Sequence, residues 1–322
     1  MFDLRLLSAS HFIFLLLSFA VGFAVLLRWH TKFAGIIPAT VATILSVVFL
    51  GNTILSVGLL LAYAVIVIVG RADEKEPLSP AAQLFWQLLV SVILVVCGWN
   101  IPYVSNPLGY GVIELGALSF PLTVAWIMLM MNAMNWLDGV DGLAALVGSI
   151  GFITLAAVSA LPATQDTATL GLALVGAGAF AGFFLHNAPP ARFYLGTVGS
   201  WFLGAFLALT AAFGGGKVAT ATLVLALPVL DAFFVIGQRL LSRQKPWQGD
   251  KKHLHFRLAS LGWKVPHIVL ASGVVSATLG VIAVTAQTRE KLWVLGIVAL
   301  FLLLTILSLL YLTYAGRKTA HR

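Results

Sequence analysis

This sequence contains very little charge. Only 9% of its 322 residues are Asp, Glu, Lys or Arg, whereas 60% are hydrophobic and the mean hydropathy is +1.02. A water-soluble domain with so few charged side chains would expose large apolar patches, which soluble proteins rarely do. The composition therefore excludes a soluble fold.

The sequence is also poor in cysteine. Its single cysteine, Cys97, lies in an apolar run, so an internal disulfide and a cysteine-based metal site are both excluded. The net charge of +8 is compatible with nucleic-acid binding, but the basic residues fall in short loops between apolar runs rather than along one surface. We therefore attribute the positive charge to the membrane and expect no nucleic-acid partner.

Apolar runs of about twenty residues, the length of a bilayer crossing, occupy most of the chain. About eleven runs predict an all-α, polytopic membrane helix bundle with a single transmembrane domain over residues 1–322, and a count of ten is the alternative. The first run lacks a clear cleavage site, so we expect a crossing rather than a signal peptide. The runs are 11–29, 35–51, 54–70, 81–99, 120–135, 142–161, 168–184, 201–213, 218–240, 265–285 and 292–314.

The basic residues are unevenly distributed between the two sides. If the runs alternate across the membrane, all but four of the 19 Lys and Arg lie on one side. The four exceptions are Arg5, Lys217, Arg289 and Lys291. The positive-inside rule then predicts an external N-terminus and a cytoplasmic C-terminus, with the basic side cytoplasmic.

Two clusters of polar residues lie at the ends of runs on the predicted cytoplasmic side, and the second begins in the last turn of the fifth run. The first is the adjacent acid pair Asp73 and Glu74, where the third run ends. The second has three-residue spacing and comprises Asn132, Asn135, Asp138 and Asp141. On one helix the first three would share an arc of about 120°, and Gly139 and Gly142 are expected to end that helix. Such oxygen ligands suit Mg²⁺, which also pairs with phosphates.

Two further clusters carry glycine or positive charge. The segment 192–200, with Gly196, leads into the eighth run, and backbone amides at a helix N-terminus bind anions. In the loop 241–264, the fourth polar loop, His253, His255 and Arg257 would point the same way if the segment were extended. Such an arrangement suits a diphosphate or sugar. A basic patch on the membrane surface is the alternative for this loop. Asp231 lies inside the ninth run, where a carboxylate indicates function.

Together these clusters resemble, in order and spacing, the polyprenyl-phosphate N-acetylhexosamine-1-phosphate transferases, of the glycosyltransferase family 4 type. The resemblance covers roughly residues 70–258, is strongest over 132–144, and is closest to the undecaprenyl-phosphate N-acetylglucosaminyl 1-phosphate transferase branch. It implies a bacterial inner-membrane enzyme that transfers a sugar 1-phosphate, expected to be N-acetylglucosamine 1-phosphate, from a UDP-sugar to polyprenyl phosphate and releases UMP. This reaction would initiate a lipid-linked cell-envelope glycan.

The resemblance also implies a site and its ligands. The cytoplasmic loops 71–80, 136–141, 188–200 and 241–264 would form the active-site face, with Mg²⁺ or Mn²⁺ as cofactor and membrane lipid and a second copy of the chain as further partners. Implied catalytic residues are Asp73, Glu74 and Asp138, and implied metal ligands are Asn135 and Thr197. Implied substrate contacts are Asn132, Asp141, Tyr194, Gly196, Asp231, Lys252, His253, His255 and Arg257, with Asp141 and Tyr194 at the uracil.

Four positions depart from the family pattern. Glu74 replaces the second Asp of the acid pair, Gln83 replaces a Lys, and Phe256 replaces a third His. Thr197 stands where the family has a metal-binding Asp, and a neutral hydroxyl holds Mg²⁺ only weakly. Two alternatives stay open: a noncatalytic or impaired relative that still binds its ligands, and a lipid or solute transporter.

Overall fold

The computed structural model describes residues 9–26, 33–106, 111–213, 217–245 and 252–320, and most of them are helical. The helices within these ranges are α1 (Ala9–Leu26), α2 (Ile36–Leu50), α3 (Thr53–Lys75), α4 (Pro80–Val96), α5 (Ser119–Leu137), α6 (Leu143–Ser159), α7 (Thr167–Asn187), α8 (Gly196–Ala212), α9 (Val218–Val224), α10 (Ala226–Leu241), α11 (Leu254–Ser260), α12 (Val265–Thr285) and α13 (Thr288–Ala320).

Every predicted apolar run is helical over most of its described residues, so the predicted membrane helix bundle is confirmed. Within the described ranges, five helical segments, containing α3, α5, α7, α12 and most of α13, are long and apolar enough to cross a membrane. Large side chains such as Leu270 and Phe301 are exposed on the outer helices, which suits contact with lipid. The number of crossings and their orientation stay predictions, and the end of the first run lies outside the described residues.

The ninth predicted run, 218–240, is not one straight helix. It forms α9 and α10, which are bent by 80° at a short break. Pro228 has no N–H to donate to the carbonyl of Val224, so one continuous helix would lose a hydrogen bond here. The break gives α10 its own direction, and α10 carries Asp231 and Arg239.

The connection between α4 and α5 contains a small β-hairpin that the all-α prediction missed. Strand β1 (Tyr103–Ser105) pairs antiparallel with β2 (Val112–Glu114), with Tyr103 opposite Glu114. Since α5 starts beside this hairpin and rises about 1.5 Å per residue over 19 residues, its other end lies roughly 28 Å away.

Helix α8 lies at the centre of the bundle. Every residue from Val198 to Ala212 is buried, and glycines bring neighbouring backbones close. A Cβ at Gly204 would lie 2.3 Å from the Met130 carbonyl oxygen of α5, and one at Gly70 of α3 would lie 2.7 Å from Val198. Small residues at contacts of this kind allow tight packing between membrane helices. The first turn of α8 is thereby held beside the C-terminal ends of α3 and α5.

Candidate active site

Asp73 connects three elements at one end of the bundle. It lies in the last turn of α3 and is buried. Its Oδ1 accepts hydrogen bonds from the Leu78 N–H at 2.8 Å and Gln83 Nε2 at 2.9 Å, and its Oδ2 accepts one from Thr197 Oγ1 at 2.6 Å. Two positions that depart from the family pattern, Gln83 and Thr197, therefore donate to the same carboxylate.

Glu74, the second acid of the pair, faces the start of α8. Its Oε1 accepts a hydrogen bond from the Val198 N–H at 3.3 Å, and its Oε2 pairs with Arg71 at 2.9 Å. Gly196 has φ +66°, and a Cβ there would lie 2.5 Å from Glu74 Oε1. Both the backbone conformation and the available space therefore favour glycine at this position. The predicted anion-binding amides are present, but here they face carboxylates of the protein.

Asp138 is the C-cap residue of α5 and lies between other acids. Its Oδ2 accepts a hydrogen bond from the Gly196 N–H at 3.1 Å. Burial raises the pKa of Asp138 well above its usual range; the Gly196 hydrogen bond opposes this shift, and the charges of Asp141 and Glu74 add to it. Asp141 in turn accepts a hydrogen bond from the Ala191 N–H at 3.0 Å. We call Asp73, Glu74, Asp138 and Asp141 the acid cluster. Their negative charges favour a bound cation.

The predicted helix end is confirmed, because α5 ends at Leu137 and Gly142 caps α6 in a left-handed conformation. The two asparagines have different partners. Asn135 Oδ1 accepts a hydrogen bond from Ser200 Oγ at 2.9 Å, beside the start of α8. Asn132 Nδ2 instead donates to Gln87 Oε1 at 2.5 Å, which links α5 to α4. Asn135 therefore lies at the acid cluster, whereas Asn132 is occupied at a helix contact.

Asp231 contacts the start of the segment 253–257, which we call the histidine loop. It is 6% exposed, and its Oδ1 accepts a hydrogen bond from the Leu254 N–H at 3.0 Å at the start of α11. Its Oδ2 lies 2.8 Å from His253 Nδ1. A carboxylate only accepts hydrogen bonds, so Nδ1 is the donor and the Nε2 atom of a neutral His253 is an acceptor.

The extended arrangement predicted for His253, His255 and Arg257 is wrong, because Leu254–Ser260 is helical. The rings of His253 and His255 stack with centroids 5.9 Å apart, and a Cβ at Gly139 would lie 3.3 Å from His255 Nε2. Burial lowers the pKa of His255 to about 4, with Asp231 opposing the shift and His253 adding to it. His255 is therefore neutral near pH 7.

Arg257 and Lys252 donate hydrogen bonds to glutamines in and just after α10. Arg257 donates to Gln238 Oε1 at 2.7 Å and to the Lys252 carbonyl oxygen at 2.5 Å. Lys252 Nζ donates to Gln244 Oε1 at 2.7 Å. The positive charge of the fourth loop thus borders the C-terminal half of α10, and Lys251 lies outside the described residues.

Tyr194 lies at the edge of the acid cluster, two residues before Gly196. It is 40% exposed, and its carbonyl oxygen accepts a hydrogen bond from the Ala34 N–H at 3.0 Å. Its ring lies 6.2 Å from that of Phe33, which is also 40% exposed. Two accessible aromatic rings therefore border the acids. The sequence patterns did not indicate Phe33.

Arg239 and Trp136 were also missed. Arg239 is 2% exposed on α10, and its guanidinium lies 5.9 Å from the centroid of the Trp136 ring. That ring also lies 5.3 Å from His253. The spacing in the sequence could have indicated Arg239. It comes eight residues after Asp231 in an apolar helix and therefore lies near the same helix face.

The bundle and its polar end define a multi-pass membrane protein with an acid-and-histidine site. The family model for glycosyl transferase family 4 matches residues 56–215, which include Asp73, Asp138 and Thr197. A Bacillus subtilis protein named probable undecaprenyl-phosphate N-acetylglucosaminyl 1-phosphate transferase is 31% identical over 252 residues, which are 76% of this chain and 69% of that protein. The chain therefore belongs to glycosyl transferase family 4, as its motifs predicted.

Two other relatives match over smaller shares of their length. The decaprenyl-phosphate N-acetylglucosaminephosphotransferase of Mycobacterium tuberculosis is 28% identical over 71% of this chain and 62% of that protein. The undecaprenyl-phosphate alpha-N-acetylglucosaminyl 1-phosphate transferase of Thermotoga maritima is 33% identical over 31% of this chain and 35% of that protein. The match to these two relatives covers less than two thirds of their length.

Proposed function

We propose that this chain transfers N-acetylglucosamine 1-phosphate from a UDP-sugar to polyprenyl phosphate and releases UMP. The observation that carries this proposal is that Asp73, Glu74 and Asp138 meet at the start of α8 in a member of this family. The names of the relatives support the sugar and the lipid acceptor. The excess of basic residues at this end supports a site on the cytoplasmic face of a bacterial inner membrane.

The acid cluster suits Mg²⁺. Asn135, Asp138 and Thr197 offer oxygen ligands, and Thr197 keeps its oxygen lone pairs while its hydroxyl proton points to Asp73. Among the described residues no three of His, Cys, Asp and Glu form a metal site, so an ion held here would need water and substrate phosphate as further ligands. When bound, Mg²⁺ would offset charge on the diphosphate.

Phosphoryl transfer in this site depends mainly on positioning. An oxygen of the acceptor phosphate attacks the sugar-linked phosphorus, and the bond to the UMP oxygen breaks. A phosphate monoester is mostly ionised at neutral pH, so the acceptor needs little help from a base. Asp73 already accepts three hydrogen bonds and holds the site together, whereas Asp138 keeps one oxygen for the substrate or metal. The histidine loop and Arg257 would face the sugar phosphate, and Tyr194 and Asp141 the uracil.

The test is UMP release by purified protein incubated with polyprenyl phosphate, Mg²⁺ and a panel of UDP-sugars. Asp138→Asn should lower turnover by at least about a hundredfold, the usual scale for a group that acts on the transition state, without unfolding the protein. The matched control is Glu114→Gln, the same carboxyl-to-amide change on the exposed strand β2 at the opposite end. Full turnover in Asp138→Asn would remove Asp138 from the reaction.

A second candidate follows from Thr197, whose neutral side chain weakens the metal site. A noncatalytic relative would bind the UDP-sugar or the lipid phosphate without releasing UMP. Binding of UDP-N-acetylglucosamine in the absence of turnover, with every sugar of the panel, would favour this candidate. A transporter is less consistent with the site, because its acids cluster at helix ends rather than at the bilayer midplane.

A further inference from the structure

A second polar feature lies at the end of the bundle opposite the acid cluster. An open cavity of about 260 Å³ is lined by β1, α9 and the start of α13. Its wall is mostly aliphatic, and its polar side chains are Ser105, Thr222, Thr288 and Lys291. It is therefore an apolar space with one cation at its edge.

Lys291 has no acidic partner among the residues that the structure describes. Its Nζ donates to Thr220 Oγ1 at 2.8 Å, which uses one of the three N–H donors of an ammonium group. No Asp or Glu in the described part of the chain forms an ion pair with it, whereas Lys217, the buried lysine at this end, pairs with Asp166. A charge that is partly removed from water and lacks a counter-ion favours an anionic ligand.

The cavity beside Lys291 adjoins a second cavity with apolar walls. A neighbouring cavity of about 440 Å³ shares Val104 and Val218 with the first. Its other lining residues come from the hairpin region, α5 and α10, and include Leu122, Trp126 and Phe233. A positive group beside a long apolar surface has the complementarity expected for an amphiphile with an anionic head and a hydrocarbon tail.

We propose that this pair of cavities binds an anionic phospholipid of the surrounding bilayer, with its phosphate at Lys291 and an acyl chain along Val104 and Val218. The site is separate from the acid cluster and does not depend on the transfer reaction. Helix α9 forms part of its wall and leads through the 80° break into α10. A bound lipid would therefore support the helix that carries Asp231 and Arg239.

Native mass spectrometry of the full-length protein in neutral detergent tests this proposal. Wild type should retain phosphatidylglycerol in preference to phosphatidylcholine, and Lys291→Gln should weaken phosphatidylglycerol retention about fivefold, the factor that corresponds to one basic residue at a membrane surface. Lys291→Arg should retain it. The matched control is Arg289→Gln, which removes an exposed cation that does not line the cavity. Equal retention by wild type and Lys291→Gln, or equal losses in the Gln variants at 289 and 291, would overturn the site.

A second variant separates a lipid from a free anion. Ala219→Phe fills the cavity but keeps Lys291, so phosphatidylglycerol retention should fall while the melting temperature in phosphatidylcholine stays near that of wild type. Inorganic phosphate at millimolar concentration should displace little lipid from wild type. If phosphate displaces the lipid fully, or if Ala219→Phe retains phosphatidylglycerol, the proposed phospholipid site is wrong.

Discussion

Two acids at opposite ends of the bundle, Asp166 and Asp138, differ in their partners. At the hairpin end, Asp166 pairs with Lys217 at 2.5 Å and caps α7. Burial raises the pKa of Asp166, but the hydrogen bonds from Lys217 and Thr169 outweigh this and lower it overall. At the other end, Asp138 has a backbone N–H as its partner, and no Lys, Arg or His in the described part of the chain forms an ion pair with it. Asp166 is therefore neutralised by a lysine, whereas Asp138 stays available to whatever binds beside it.

The largest expected effect comes from breaking the ion pair between Lys217 and Asp166. Lys217→Met removes the counter-charge of Asp166, which is partly buried and keeps its hydrogen bonds from Thr169, so the free energy of unfolding should fall by about 2–3 kcal/mol. Denaturant unfolding in detergent measures this. Turnover per folded molecule should stay unchanged because the pair lies far from the acid cluster. In Asp166→Asn/Lys217→Met, which keeps a capping oxygen, much of the stability should return; no recovery would contradict the assigned pair.

The second prediction concerns a buried titratable group at the site end. His255 has a folded-state pKa of about 4, whereas an unfolded histidine titrates near 6.5. Well above pH 6.5 His255 is neutral in both the folded and the unfolded state, and its contribution to the free energy of unfolding does not change with pH. As the pH falls from 6.5 towards 4 the unfolded state gains the proton first, so the free energy of unfolding should fall by about 2 kcal/mol between pH 7 and 5.

His255→Gln should remove that part of the pH dependence, as measured by unfolding at pH 7 and pH 5. His267→Gln is the matched control, because His267 is exposed at the start of α12. The same loss of stability in wild type and His255→Gln would show that another group causes it.

The third prediction tests how the two neutral partners of Asp73 depend on each other. Thr197→Asp would place a carboxylate where Thr197 Oγ1 now lies 2.6 Å from Asp73 Oδ2, so UMP release should fall about thirtyfold. Gln83→Lys adds a cation on the other side of Asp73 and should restore most of that loss in the double variant. The expected coupling free energy is about 1–2 kcal/mol, and strictly additive effects would show that Asp73 does not connect the two positions.

The smallest expected effect concerns the histidine loop. Asp231→Asn can still accept from the Leu254 N–H, but its amide group would face His253 Nδ1 and favour the other tautomer. UMP release should fall about fivefold, the scale of one weakened hydrogen bond. His253→Asn should have a larger effect, and adding Asp231→Asn to it should cost nothing more. Independent losses would show that Asp231 acts other than through His253.

Much of the site could be predicted because its signals are local. The three-residue spacing from Asn132 and the glycines after Leu137 placed Asn135 and Asp138 at a helix end, as the structure confirms. The histidine loop was predicted wrongly for a reason that lies elsewhere in the chain. Its short helix α11 is capped by Asp231, 23 residues earlier, and a local pattern does not show such a cap. Arg239 was missed because a charge near the end of an apolar helix usually lies at the surface.

The sequence by itself determined a membrane helix bundle of this family with its polar motifs in a few loops, because hydrophobicity and residue spacing are properties of contiguous segments. Only the tertiary structure decided which acids have partners. Asp73 and Glu74 are adjacent in the chain, yet their partners Thr197 and Val198 lie 124 residues away. Whether a carboxylate is neutralised depends on what distant helices bring next to it, and in the described structure Asp138 and Asp141 each accept one hydrogen bond and keep an oxygen to offer.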